Sequence, residues 1–224
     1  EDRFAELVNT AGQLATMARE DANATNVKIA ASLGPLEASY IHEFKLSPDE
    51  MVSQYRELMD LLDPYVDIYL GETFSTIQES QALLTATQGR DKPVWVSWTL
   101  RDHGSTILRG GESLTDALSS LKGFNPASVL VNCCTPDSID DAVSVLRSTG
   151  IPFGGYANGF VEVPDSWESN GDVNQIHTKA DLLPDRYARH VLKWVEAGAT
   201  IVGGCCEIGP AHIAHIRKAL NEME

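Results

Sequence analysis

The amino-acid sequence predicts an α/β fold in which helices cover one parallel sheet. Six short apolar runs, rich in β-branched residues, alternate with segments whose apolar residues recur at helical spacing. Such alternation favours parallel strands, because each connection must cross over and carries a helix onto a face of the sheet. A chain of 224 residues can bury a sizeable core, and we expect residues 1–224 to form a single domain.

The predicted strands lie next to glycine or proline residues, which interrupt regular structure. We take Gly34-Pro35 as the break after the first strand and Gly71 as the end of the second. The predicted strands cover residues 27–31, 65–70, 94–98, 128–133, 152–156 and 200–203.

Several predicted helices carry N-terminal signals. Ser47, Pro48 and Glu50 have the order of a capping box with proline at the first helical position. Proline likewise begins three later helices, at positions 136, 184 and 210. The remaining predicted helices cover residues 3–20, 77–88 and 114–121.

The spacing of these units indicates a barrel with two units missing. Each strand–helix unit takes about 33 residues, so eight would take about 260, close to the roughly 250 of a (β/α)8 TIM barrel. The first residue is Glu1, and no strand precedes the predicted helix over residues 3–20. We therefore expect an N-terminally truncated barrel, with strands 3–8 and the preceding helix. The alternative is an open doubly wound sheet, although residues 32–35 (SLGP) are not its usual Gly-rich phosphate loop.

Charge and hydropathy exclude several classes of partner. The net charge of −15 and pI near 4.7 are unfavourable for binding nucleic acid. No apolar run approaches the roughly 20 residues that span a membrane. No secretory signal is visible, so we expect a cytoplasmic protein. The oligomeric state is left open.

Four cysteines occur as two adjacent pairs at strand ends, Cys133-Cys134 and Cys205-Cys206. Adjacent cysteines rarely bridge each other, and thiols of a reducing compartment are often metal ligands. Three thiolates and one open position suit a catalytic Zn²⁺. Because neighbouring strand residues face opposite ways, Cys134 is the one to leave out. Cys205 and Cys206 can both bind only if the strand breaks, which Gly203-Gly204 permits.

Polar residues follow several other strands at the edge where parallel sheets place their active sites. We expect four of them to lie at this edge beside the thiols. They are Ser32, Glu72, Asn132 and Asn158.

The segment Gly203–Ile213 (GGCCEIGPAHI) resembles the GGCC…P-x-H-I signature of the homocysteine S-methyltransferase family. The resemblance runs in order from residue 1 to the end. The other matching segments are 131–133 (VNC), 31–35 (ASLGP), 67–74 (DIYLGETF), 93–99 (PVWVSWT) and 156–158 (YAN).

This resemblance implies a zinc-bearing barrel that transfers a methyl group to the thiol of homocysteine, giving methionine. It assigns Cys133, Cys205 and Cys206 to zinc and Glu72 to the substrate's amino group. We expect Ser32, Asn132 and Asn158 to bind substrate beside Glu72. The donor stays open among sulfonium compounds, betaine and methyl-folate. The family's opening strand, with its acidic residue and Gly-Gly pair, has no counterpart here.

Two other functions remain compatible with these residues. One is a zinc-binding barrel fragment that lacks catalysis or is completed by a partner chain. The other is a cytosolic thiol protein whose cysteine pairs perform redox chemistry.

Overall fold

In the part of the chain that the structure describes, six parallel strands form one sheet in chain order. The computed structural model describes residues 3–164, 167 and 175–223. Each strand pairs with the next along the chain, so the strand order has no reversal, and a doubly wound sheet is excluded. The strands are β1 (Ala30–Leu33), β2 (Ile68–Phe74), β3 (Val94–Trp98), β4 (Ser128–Asn132), β5 (Phe153–Tyr156) and β6 (Ile201–Val202).

A helix precedes the sheet and another follows each strand, which confirms the predicted alternation. The predicted capping box at Ser47 is also present, since the Ser47 N–H donates to Glu50 Oε2 at 2.8 Å. The helices are α1 (Phe4–Asp21), α2 (Pro48–Leu62), α3 (Ile77–Ala86), α4 (Leu114–Ser119), α5 (Pro136–Arg147), α6 (Pro184–Glu196) and α7 (Pro210–Asn221).

The sheet curls strongly. The hydroxyl of Tyr156 on β5 donates to Glu72 Oε2 on β2 at 2.9 Å. In a flat sheet these strands would lie about 14 Å apart, three spacings of about 4.8 Å. The fold is therefore a curled half-barrel of six parallel strands, and its concave side brings the carboxyl ends of distant strands together.

The core lies between the convex side of the sheet and the helices. Its largest buried side chains include Tyr55 of α2, Trp98 of β3 and Trp194 of α6. In contrast, α1 exposes an apolar stripe at Phe4, Leu7, Leu14 and Met17, each at least 40% accessible. No helix in the described ranges is both long and apolar enough to span a membrane.

Two strand ends differ from the prediction. Gly71 was expected to end the second strand, yet it lies inside β2, where any larger side chain would collide with Leu83 of α3. The glycine permits close packing of helix on sheet rather than a turn. Cys133 was expected within the fourth strand, but it follows β4 with a φ of +53°. Strand alternation therefore no longer governs where its thiol points.

The polar segment between Phe160 and Leu183 makes contacts near both of its ends. Phe160 and Thr178 form an antiparallel bridge. Phe160, Val163 and Ile176 form a small apolar cluster, with Trp167 packed against it. Residues 165–166 and 168–174 of this segment lie outside the described part of the chain.

Candidate metal and substrate site

Three thiols converge at the carboxyl end of the sheet. Cys133 follows β4 directly, and Cys205 and Cys206 lie in the turn between β6 and α7. The Sγ of Cys133 is 2.8 Å from that of Cys205 and 3.7 Å from that of Cys206. The sulfurs of Cys205 and Cys206 are 3.9 Å apart. Since β6 already ends at Val202, the two adjacent cysteines can point the same way.

This donor set fits zinc. Tetrahedral coordination with Zn–S bonds of about 2.3 Å places sulfur atoms about 3.8 Å apart. Two of the three sulfur separations match that value, and the separation between Cys133 and Cys205 needs to open by about 1 Å. Soft thiolates also discriminate against magnesium and calcium.

Cys134 does not join this cluster. Its side chain is fully buried among the residues of the main hydrophobic core. Burial raises the pKa of its thiol to about 12, so the group stays protonated at neutral pH. Its surroundings are those of a small buried hydrophobe.

The three clustered thiols differ in environment. Hydrogen bonds from Cys133 and Cys205 hold the pKa of the Cys206 thiol well below its usual value. The hydroxyl of Tyr40 donates to the Cys133 sulfur at 3.1 Å. Burial raises the pKa of Tyr40, so its phenol remains a donor. The pKa values of the Cys133 and Cys205 thiols are raised, so without a metal the cluster holds its negative charge on the Cys206 sulfur.

Glu72 is aimed into the same cavity by two hydroxyl groups. Its carboxylate accepts hydrogen bonds from Ser32 Oγ at 2.5 Å and from the Tyr156 hydroxyl at 2.9 Å. Burial and the charge of Glu72 raise the pKa of Tyr156, which keeps the phenol protonated. Ser32, Glu72 and the three thiols line one cavity of about 330 Å³. This volume is sufficient for a small amino acid.

The two asparagines expected to bind substrate lie beside this cavity, fully buried. Asn158 Nδ2 donates to the carbonyl oxygen of Cys133 at 2.9 Å, and its Oδ1 accepts from Phe160 N. The side chain of Asn132 bonds to Thr73 and Ser97. In the structure, both asparagines hold protein groups in place.

Sequence reasoning missed a buried ion pair behind the site. The side chains of Asp102 and Arg109 are each 5% exposed and are joined by a hydrogen bond of 2.6 Å. Asp102 also accepts from the N–H groups of Thr135 and Val163, and Arg109 donates to the Val163 carbonyl oxygen. The Arg109 guanidinium lies 4.7 Å from the ring centroid of Tyr40. No motif or periodicity marks either residue, because both belong to the connection between β3 and α4.

Comparison with known proteins decides the family. A family model described as homocysteine S-methyltransferase matches residues 1–220. The chain belongs to the homocysteine S-methyltransferase family. The resemblance seen in its cysteine and glutamate motifs is thereby confirmed.

Relatives of this family member carry related names. It is 29% identical to the homocysteine S-methyltransferase of Escherichia coli, covering 94% of this chain and 70% of that protein. It is 27% identical to the selenocysteine methyltransferase of Astragalus bisulcatus, covering 74% of this chain and 48% of the relative. It is 26% identical to the betaine–homocysteine S-methyltransferase of Drosophila melanogaster, covering 99% and 73%. This methyltransferase-family chain thus spans between about half and three quarters of the lengths of these relatives.

A solved structure agrees with the fold of this family member. The metallated form of the homocysteine methyltransferase MmuM from Escherichia coli superposes with a TM-score of 0.76 at 25% sequence identity. The match covers 96% of this chain and 70% of MmuM.

Proposed function

We propose that this protein transfers a methyl group from a small donor to the thiol of homocysteine, giving methionine, with zinc as its metal. The observation that carries the proposal is the convergence of three thiols and one oriented carboxylate on a single cavity. A thiol-binding metal centre and an ammonium-binding carboxylate are what an amino-acid thiol requires.

In this proposal Cys133, Cys205 and Cys206 hold the metal. Zn²⁺ bound there would favour ionisation of an incoming thiol, which otherwise has a pKa near 8.5. The cysteines contribute charge as well as binding. Three thiolates outweigh the charge of the ion by one, and this excess keeps electron density on sulfur.

Glu72 binds the amino group of homocysteine. Its carboxylate is fixed by Ser32 and Tyr156, so little freedom is lost when an ammonium group arrives. Ser32 faces the same cavity and contacts the substrate beside Glu72. Asn158 supports the cavity indirectly, because it fixes the backbone carbonyl of Cys133.

The donor is a small cation. The rings of Tyr40 and Trp167 meet edge to face, 5.7 Å apart, and both line the cavity. Aromatic faces attract sulfonium and quaternary ammonium groups. No lysine or arginine lies among the described lining residues of this cavity, whereas Glu72 and the thiols supply negative charge. These charges favour a sulfonium compound or betaine over an anionic folate.

We also propose that residues 1–224 belong to a single barrel domain, of which the sheet forms strands 3–8. Three features support two further strands. Strands β1 and β6 are the ends of the sheet. The inward residues Ala30 and Ser32 of β1 are exposed, as is the apolar stripe of α1.

The clustered thiols also suit a reducing compartment such as the cytosol.

A donor panel tests the activity. Zinc-loaded protein is assayed for methionine formation from homocysteine with S-methylmethionine, betaine or methyl-folate as donor. We expect product with a cationic donor and none with methyl-folate. Glu72→Ala should raise the KM for homocysteine about tenfold or more, because an ammonium–carboxylate bond is lost, with zinc content unchanged. Absence of product with every donor would contradict the proposed activity.

The exposed edges and the α1 stripe support a second candidate, a zinc-binding barrel that acts only when a further segment completes it. This candidate predicts zinc binding without turnover by the isolated chain. Measuring zinc content and methionine formation on the same sample separates the two functions.

A further inference from the structure

Strand β2 contains a bulge at the residue that faces the substrate cavity. Gly71 pairs with Val96 of β3, but Phe74 pairs with Trp98, so Glu72 and Thr73 together oppose one residue, Ser97. A bulge of this kind re-aims the side chains around it. Strand alternation places Glu72 on the concave side, opposite Gly71, which faces the helices. The bulge returns Phe74 to the side of Gly71.

The backbone at this bulge is strained. Thr73 has a φ of +63°, in the left-handed region that β-branched residues rarely occupy. A conformation of this kind persists only when surrounding contacts hold it.

Asn132 of β4 supplies those contacts by reaching across β3. Its Oδ1 accepts a hydrogen bond from the Thr73 N–H at 2.9 Å, and its Nδ2 donates to Thr73 Oγ1 at 2.8 Å. The hydroxyl of Ser97, between them, donates to the same Oδ1 at 2.6 Å. Asn132 and Ser97 are fully buried, so no water competes for these bonds. The N–H held by Asn132 belongs to the peptide that joins Glu72 to Thr73.

We propose that Asn132 is a positioning residue for recognition of the substrate's amino group. It fixes the strained peptide after Glu72 and thereby aims the Glu72 carboxylate into the cavity. This inference rests on the proposed function, in which Glu72 binds the ammonium group of homocysteine. It replaces the expectation that Asn132 contacts the substrate itself.

Two thiols that differ only in the amino group test this role. Isothermal titration of zinc-loaded protein measures the Kd of homocysteine and of 4-mercaptobutanoate, which lacks the amino group. We expect the Kd of homocysteine for the intact protein to be about tenfold or more below that of 4-mercaptobutanoate, because only homocysteine can form the charge-assisted hydrogen bond to Glu72. Glu72→Gln should abolish that preference.

Asn132→Ala should remove most of the preference while leaving the Kd of 4-mercaptobutanoate and the zinc-to-protein ratio unchanged. If the role of Asn132 were merely structural, Asn132→Ala would weaken the binding of both thiols equally, and that result would overturn the inference. An unchanged preference would overturn it as well. The matched control is Ser128→Ala, which removes another buried polar group of β4 far from the bulge and should keep the preference.

A second variant keeps the test decisive if Asn132→Ala does not fold. Glycine adopts a positive φ readily, so Thr73→Gly combined with Asn132→Ala should fold and recover part of the preference. If the double variant folds but prefers homocysteine no more than is expected of Asn132→Ala alone, the strain argument is contradicted. If the intact protein does not prefer homocysteine, the proposed role of Glu72 itself fails. If Glu72→Gln abolishes the preference but Asn132→Ala leaves it unchanged, the inference about Asn132 fails and the proposed role of Glu72 stands.

Discussion

Replacing Asp102 by Ala leaves the guanidinium of Arg109 buried without its counter-charge. Both side chains are 5% exposed, and the carboxylate also accepts from the backbone N–H groups of Thr135 and Val163. Removing one partner of a buried ion pair costs about 3–5 kcal/mol, because the remaining charge keeps its desolvation penalty. We therefore expect Asp102→Ala to lower the free energy of unfolding by about 4 kcal/mol.

Urea unfolding followed by circular dichroism measures this change, and a double-mutant cycle isolates the pair. Arg109→Met replaces the cation by an apolar chain. Combined with Asp102→Ala it should be less destabilising than the sum of the single variants, by about 2 kcal/mol or more. A loss below about 1 kcal/mol for Asp102→Ala, typical of exposed pairs, would refute the argument from burial.

Three other expectations concern the thiols, a buried acid and a packed glycine. Cys205→Ser should abolish tight zinc binding, whereas Cys134→Ala, outside the cluster, should retain it; equal zinc content in both would contradict the ligand assignment. Burial raises the pKa of Glu79 to about 7 from 4.5, so the stability it contributes is complete below pH 4.5 and is lost as the pH rises through 7. Between those pH values the free energy of unfolding should change by about 3 kcal/mol, as measured by urea titrations at each pH. Glu79→Gln should remove this pH dependence, and an unchanged pH profile in that variant would contradict the assignment to Glu79. Gly71→Ala should lower the free energy of unfolding by about 1–3 kcal/mol, because its Cβ would overlap Leu83. Gly34→Ala, with open space around it, is the control for this substitution.

The alternation of strands and helices could be predicted because it depends on local periodicity. Each apolar run packs against helices whose apolar residues recur every three to four positions. Capping residues such as Ser47 mark the helix starts. Gly71 shows where such reasoning stops. Glycine serves equally as a turn residue and as a site of close packing, and only the tertiary contact with Leu83 distinguishes the two.

The metal and substrate site was predictable in part. Paired cysteines at strand ends pointed to convergent thiols, because parallel strands end at one edge. The bulge at Glu72 and Thr73 was not predictable, since it depends on Asn132 two strands away. Asp102 and Arg109 were missed for the same reason. Their partners Tyr40, Thr135 and Val163 are distant in sequence, and single-sequence patterns do not reveal such contacts.

The zinc-to-protein ratio of the chain, purified under reducing conditions without chelator, tests the central claim most directly. The claim is that Cys133, Cys205 and Cys206 form one metal centre. We expect a ratio near one that falls to near zero in Cys205→Ser. A ratio near zero for the unaltered chain, or one that Cys205→Ser leaves unchanged, would contradict it.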